Sequence, residues 1–335
     1  MVRRLSLIAA VIGTLGLVVA FVLWRLPADE FILAPDRAKP LAGKVEVENA
    51  RPAGDTSVYY VDVFVRRTSL LEQLLPFTQP DGSTVLPEHA LLPAGTSEEE
   101  RDRQNEADME RSELIAAVVA LRALGYEVDA RPTGILVTSV APDAPAAGRL
   151  EQGDVVVRVD GSPVRTPDQL RAAIGRRTPG DDVRLTVLRD GKRVELTVTT
   201  VPNPSDPDRP IVGIQVDQEA DIDLPFAVDI DLGPVGGPSA GLPFALEVAR
   251  KLGRDVTNGC RVAATGALAL DGTVIPVGAV EQKTYGTRRS DVDVFLVPAG
   301  QNAATASEHA DDVRIVPVES FQQALRQLAT NPPKC

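Results

Sequence analysis

The first long pattern along the chain is an unbroken apolar run. From Leu5 to Trp24 no charged residue appears for twenty positions, which as a helix is enough to cross ~30 Å of hydrocarbon. Arg3 and Arg4 precede the run and Arg25 closes it. The run exceeds the apolar core of a signal peptide, and the "RLPADE" that follows is a poor cleavage site, so an uncleaved anchor is expected. With no second such run, the remaining mass falls on one side, and an outward-facing body is expected. After a Pro-containing linker to about Gly43, "SVYYVDVFVRR" (57–67) has two nearly apolar rows and predicts a buried strand. A helix follows, capped by Thr96 or Ser97, acidic in its first turn and stopped by Gly125, with Leu114, Ala117, Val118, Leu121 and Leu124 on one stripe.

From Thr133 to about Thr200 the period changes to short alternating strands. "GILVTSV", "GDVVVRVDG" and the hairpin "DDVRLTVLRDGKRVELTVTT" carry tight turns at Asp160-Gly161 and Asp190-Gly191, and "TPDQLRAAIG" is a capped helix among them. The connector "VPNPSDPDRP" marks a boundary. Beyond it "FAVDIDLG" alternates as a strand and "GLPFALEVARKLG" reads as a helix, Pro243 being tolerated only in a first turn and Gly253 closing the end.

Composition narrows the class. At 335 residues two or three folded units are expected. A net charge of −12 excludes broad contact with nucleic acid phosphates. Cys260 and Cys335 suit either one disulfide in an oxidising compartment or two unpaired thiols, and neither has the spacing of a metal or redox site.

The candidate chemistry lies in "GPVGGPSAGLPFAL", Gly233 to Leu246. Ser239 falls between a strand and a helix start, where free amides and the positive end of a helix dipole favour a developing oxyanion, and Gly236, Gly237 and Ala240 supply that backbone. From these residues alone a capping serine in a tight turn fits as well as a nucleophile. Only two histidines exist, His89 and His309, and neither sits beside a Gly-rich or strand-end segment. Only six of the 35 basic residues are lysines. Lys283 ends the apolar, glycine-containing run "GTVIPVGAVEQK", where burial lowers an amine's pKa towards that of a usable base.

Two resemblances follow. Residues from Thr133 to Thr200 resemble a PDZ domain of the bacterial protease type, carried by Gly134-Ile135-Leu136-Val137, Ala144-Pro145-Ala146, Gly153-Asp154, the Val159-Asp160-Gly161 turn and the helix Pro167 to Ile174. The resemblance implies peptide addition as a strand at Thr133, Gly134, Ile135 and Leu136. The usual Gly-Leu-Gly-Phe appears there only as "TGIL". Residues from about Pro210 to Thr330 resemble the proteolytic domain of Lon-type serine proteases, through Gly237-Pro238-Ser239-Ala240-Gly241, "ATGALALDGTVIPVGAVEQK" (264–283), "VFLVPAGQN" and "VRIVPVES". It implies Ser239 as nucleophile, Lys283 as base and Thr265 as the residue that orients the lysine.

The order of these pieces is similar to that of membrane-anchored, PDZ-containing Lon-like proteases of bacteria. The expected fold is α+β: a transmembrane anchor (1–26), a small α/β region with linker (27–124), a β-rich PDZ domain (125–201) and a Lon-type proteolytic domain (208–330) like ribosomal protein S5 domain 2. The expected activity is serine endopeptidase action with no cofactor and no metal, on protein or peptide substrates at the cell membrane, the catalytic body outside the cytoplasm. A homo-oligomer is implied by the resemblance alone. Two departures matter: Gly236 stands where Lon enzymes often carry an acid, and no G-x-x-x-x-G-K-[ST] occurs, so ATP-driven unfolding is not encoded here. The alternative class is an inactive, membrane-tethered PDZ scaffold, and a third reading is a His309-dependent hydrolase of esters.

Overall fold

The computed structural model describes residues 2–51, 56–91, 97–204, 206–233, 235–330 and 335, without the side chains of residues 2–10, His89 and Glu100. The chain divides into two compact units, one built from Met1–Gly125 and Phe226–Cys335, the other from Tyr126–Pro225. The α/β region expected over 27–124 is therefore not a separate domain. It folds together with the C-terminal segment, because its apolar strand and helix find their burial there.

The apolar N-terminus forms helix α1 (Val2–Arg25), whose apolar side chains from Val11 to Trp24 are largely exposed. Among the described residues no helix is long and apolar enough to cross a membrane, and the side chains of residues 5–10 of the predicted span lie outside the described residues. Strands β1 (Pro27–Pro35), β2 (Lys39–Pro40), β3 (Val58–Tyr60), β4 (Val63–Ser69) and β5 (Thr84–Pro87) follow, with β1 pairing antiparallel with both β4 and β5. The single buried strand expected over 57–67 is thus broken at Val61–Asp62. Its first half is buried in the central sheet, whereas Phe64 and Val65 are exposed on β4. Helix α2 (Glu98–Ala123) ends where Gly125 turns back at φ +86°. Of its predicted caps, Thr96 lies outside the described residues. Residues 115–121 are all buried, while Leu114, expected on the inward stripe, is exposed.

The chain then makes its inserted unit. Strands β6 (Asp129–Val140) and β7 (Val155–Val159), helix α3 (Pro167–Ile174), and strands β8 (Asp182–Arg189), β9 (Lys192–Thr199) and β10 (Ile214–Asp223) build one antiparallel sheet in the order β9-β8-β7-β6-β10. Thr166 caps α3 by accepting from the Gln169 amide, and Pro167 opens its first turn. Asp160-Gly161 and Asp190-Gly191 both take positive φ at both positions, the backbone that a two-residue turn between twisted strands requires. Ile135, Val137, Val156, Leu170 and Val187 fill the core under the helix.

Returning at Phe226, the chain pairs Val228–Ile230 with Val45–Val47. It continues through α4 (Gly241–Lys251), β11 (Val262–Ala264), α5 (Val280–Arg288), β12 (Val294–Pro298), β13 (Arg314–Val318) and α6 (Phe321–Thr330). The central sheet has the order β2-β3-β11-β12-β13, parallel except for β2. An N-terminal strand thereby sits beside one from the C-terminal segment, with Tyr60 opposite Ala264. Buried Glu247 on α4 accepts from the Val58 amide at 3.0 Å and pairs with Arg250 at 2.7 Å, so this internal charge is fully partnered. Cys260 and Cys335 form a disulfide, resolving the alternative left open by composition.

Candidate active site

Ser239 occupies a short 3-10 turn, Pro238–Ala240, that runs straight into α4. Gly237 before it has φ +92°, a conformation a side chain would strain. Pro243 falls in the first turn of α4, where no intrahelical amide is lost. The serine is half-buried, and its hydroxyl makes no hydrogen bond among the described residues.

Two backbone bonds fasten this turn to the segment after β11. The Gly266 amide donates to the Ser239 carbonyl at 2.9 Å, and the Leu242 amide donates to the Gly266 carbonyl at 2.9 Å. Thr265, fully buried, donates its hydroxyl to the same Ser239 carbonyl at 3.2 Å. Lys283 reaches this point from α5. Its side chain is buried, and Nζ donates to Thr265 Oγ1 at 3.2 Å. Ser239, Thr265 and Lys283, separated by up to 44 positions in sequence, are thus joined by one hydrogen-bonded chain. Burial pushes the Lys283 amine down to about 8, against a weaker opposing pull from the Asp62 carboxylate. A lysine in that range loses its proton readily enough to serve as a base. Ala279, which precedes α5, is held at φ +57°, a backbone state uncommon outside glycine.

The oxyanion residues are placed less simply. The Gly237 amide donates to the Asn105 carbonyl on α2 at 2.7 Å, so in this conformation it is committed and does not face a substrate. Gly236 lies flat on the same residue, since a Cβ there would meet Asn105 Cβ at 2.6 Å. Ser112 on α2 also donates to the Pro238 carbonyl at 3.1 Å. Helix α2 therefore grips the serine turn from one side, a contact the sequence reading did not foresee because α2 lies far upstream. Ala240 is buried at the start of α4.

His309 makes its contacts elsewhere, its ring 5.6 Å from Tyr285 and its Nε2 3.9 Å from Glu281. Nothing joins it to Ser239 among the described residues. The side chain of His89 lies outside the described residues.

In the inserted unit, Thr133, Gly134, Ile135 and Leu136 lie on β6, an interior strand. Ile135 and Leu136 pair with Val156 and Val155 on one side and with Gln218 and Asp217 on the other. A strand whose backbone is satisfied on both sides cannot take a third, so the expected peptide-binding position is corrected. The edge strand is β10, and a groove of about 610 Å³ runs beside it, lined by Leu170, Arg171 and Ile174 of α3 and by Val212 to Val216. The loop entering β10 reads Ile211-Val212-Gly213-Ile214, with Gly213 at φ +78°. This apolar-apolar-Gly-apolar run is the sequence signal for the binding edge, and it lies beyond the connector that the sequence pattern marks as a boundary.

Comparison with known families gives two matches, the second of which begins just before β10, inside the inserted unit. Residues 122–200 match the PDZ domain family, and residues 213–330 match the Lon protease (S16) C-terminal proteolytic domain. A DegP-like probable periplasmic serine endoprotease of Halomonas elongata is 47% identical over 70 residues, 21% of this chain and 15% of that protein. Lon protease 2 of Bacillus subtilis is 32% identical over 103 residues, 30% of this chain and 18% of its own length. The matched segments thus span less than a fifth of these relatives. Among solved structures, the PDZ domain of the SdrC-like protein from Listeria innocua is similar at 27% identity, covering 25% of this chain and 92% of that one with a TM-score of 0.24. The chain combines a PDZ domain with a Lon-type proteolytic domain, the peptidase domain of that serine-protease family.

Proposed function

We propose that this chain, in which a PDZ domain is joined to a Lon-type proteolytic domain, is an ATP-independent serine endopeptidase that uses Ser239 and Lys283 on unfolded or PDZ-delivered protein substrates. One observation carries the reading: a buried lysine amine, held down to about 8, is bonded to the threonine that is bonded to the serine's own carbonyl.

Neutral Lys283 takes the proton of the Ser239 hydroxyl as the oxygen attacks a peptide carbonyl. Amides of the Gly236–Ala240 turn receive the oxyanion, which requires the Gly237 amide to leave the Asn105 carbonyl. Lys283 then protonates the leaving amine, and water cleaves the acyl-enzyme. Thr265 keeps the amine directed at the turn throughout. The PDZ groove beside β10 receives an extended peptide as an added strand, with the Ile211–Ile214 loop at its end.

The apolar run Leu5–Trp24 supports a membrane anchor, and the Cys260–Cys335 disulfide supports an oxidising, extracytoplasmic compartment for the body. A homo-oligomer rests on the family resemblance. The scaffold reading draws on two observations: among the described residues Lys283 Nζ is bonded to Thr265 and not to Ser239, and the Gly237 amide is committed to Asn105. Cleavage of fluorescein-labelled casein by the full chain, beside Ser239→Ala, separates the two. Turnover by wild type and none by the variant supports the peptidase. Casein left intact by both, with peptide binding retained, supports the scaffold.

A further inference from the structure

Behind Lys283 lies a half-buried acidic pair that the mechanism above leaves unused. Strands β3 and β11 run parallel with Tyr60 opposite Ala264, so Val61–Asp62 and Thr265–Gly266 leave the sheet side by side at its carboxyl edge. Helix α5 packs directly on this edge. Gly286 has no room for a side chain, since a Cβ there would meet the Asp36 carbonyl oxygen at 2.0 Å and Val61 Cγ1 at 2.9 Å. Its carbonyl accepts from the Ala38 amide. Lys283 lies three residues before Gly286, on the same face of α5.

The carboxylate next to Val61 is incompletely partnered. Asp62 Oδ2 accepts from Lys39 Nζ at 3.3 Å, while Asp62 Oδ1 is buried with no hydrogen-bond partner. Asp36 Oδ2 lies 2.5 Å from the same Lys39 amine, so one partly exposed cation serves two carboxylates. The ionisable groups gathered here are Asp36, Lys39, Tyr60, Asp62 and Lys283. Tyr60 is pushed up by burial and carries no charge at neutral pH. Lys39 serves both carboxylates and the two carboxyls also interact with each other, and of the pair it is Asp62 whose charge is felt at Lys283.

We propose that Asp62 is a positioning residue that acts through Lys283, as the half-buried counter-charge that steers its amine and controls when it holds a proton. The inference rests on the Ser239–Lys283 reading for its catalytic meaning. Burial pushes the Asp62 carboxyl up, Lys39 opposes this, and Asp36 adds to it. Ionised Asp62 in turn favours the charged form of Lys283, against the burial that favours the neutral base. Removing the Asp62 charge therefore lowers the proton affinity of Lys283 and carries activity to lower pH.

The test is direct, since the chain has only six lysines. The full chain labelled with [13Cε]lysine is titrated in detergent micelles by NMR, with Lys283→Met identifying the signal. Wild type is expected to show a midpoint of about 8. In Asp62→Asn the midpoint falls by roughly one pH unit, and in Asp62→Glu, which keeps the charge, it stays within a few tenths. An unchanged or raised midpoint in Asp62→Asn overturns the proposal. Should that variant fail to fold by circular dichroism, Asp62→Ser carries the same prediction. The titration reads the amine without turnover, so a fully active Lys283→Ala enzyme would overturn the Ser–Lys reading and leave this measurement standing.

Discussion

Lys283 Nζ donates to Thr265 Oγ1 at 3.2 Å, and this bond decides what a buried lysine does here. An amine with no partner at such depth would be a cost without use. Tied to a hydroxyl that itself donates to the Ser239 carbonyl, it is held at the serine turn.

Thr265 is thereby open to test. Thr265→Val keeps the shape but removes both hydrogen bonds, and kcat is expected to fall by ~10 to 100-fold with KM little changed. Thr265→Ser restores most of the rate. Steady-state kinetics on a fluorogenic peptide or casein check this, and a normal kcat in Thr265→Val would remove the orienting role.

The same burial makes Lys283 a liability for stability. Its folded value of about 8 lies below the unfolded value of 10.5, so stability is reduced below pH 8 and recovers as pH rises from 8 through 10.5. Lys283→Met is expected to stabilise the inactive protein by ~2 to 3 kcal/mol at pH 7, an advantage that fades towards pH 10.5. Denaturant unfolding of both proteins across this range is the check.

Peptide binding should report on β10 and not on β6. Adding a bound peptide to the 15N-labelled full chain is expected to shift the amides of Ile214 to Val216 and of α3, leaving those of Thr133 to Leu136 nearly unmoved. The reverse pattern would restore the interior strand as the binding element, against its double pairing.

The disulfide closes a loop across 75 positions. Cys260→Ser is expected to cost ~2 to 4 kcal/mol, read as a lowered Tm that reductant reproduces in wild type.

Sequence pattern carried much of this molecule. The change from helical period to short alternating strands at Thr133, the Asp-Gly turns, and the Gly- and Pro-rich approach to Ser239 each correspond to local backbone demands, and local demands show in local residues. Long-range partnerships do not. Nothing near Val58 announces that it pairs with Val262, or that an entire unit is inserted between α2 and the strand Val228–Ile230. The two apolar rows of 57–67 predict one buried strand, whereas the chain breaks at Val61–Asp62 so that two different sheets are served. The grip of Asn105 on Gly237 was equally hidden, being a contact made by a carbonyl that every residue possesses. The edge strand is hidden from the sequence for a plainer reason: pairing on both sides, which excludes β6, belongs to the assembled sheet.

The central claim is that Lys283 is the base for Ser239, and the pH dependence of kcat/KM in wild type and Lys283→Ala tests it most directly. The account predicts an ascending limb near pH 8 in wild type and a loss of ~1,000-fold or more in the variant, with His309→Ala unaffected. A Lys283→Ala enzyme that keeps its rate and its limb within a few-fold would contradict it.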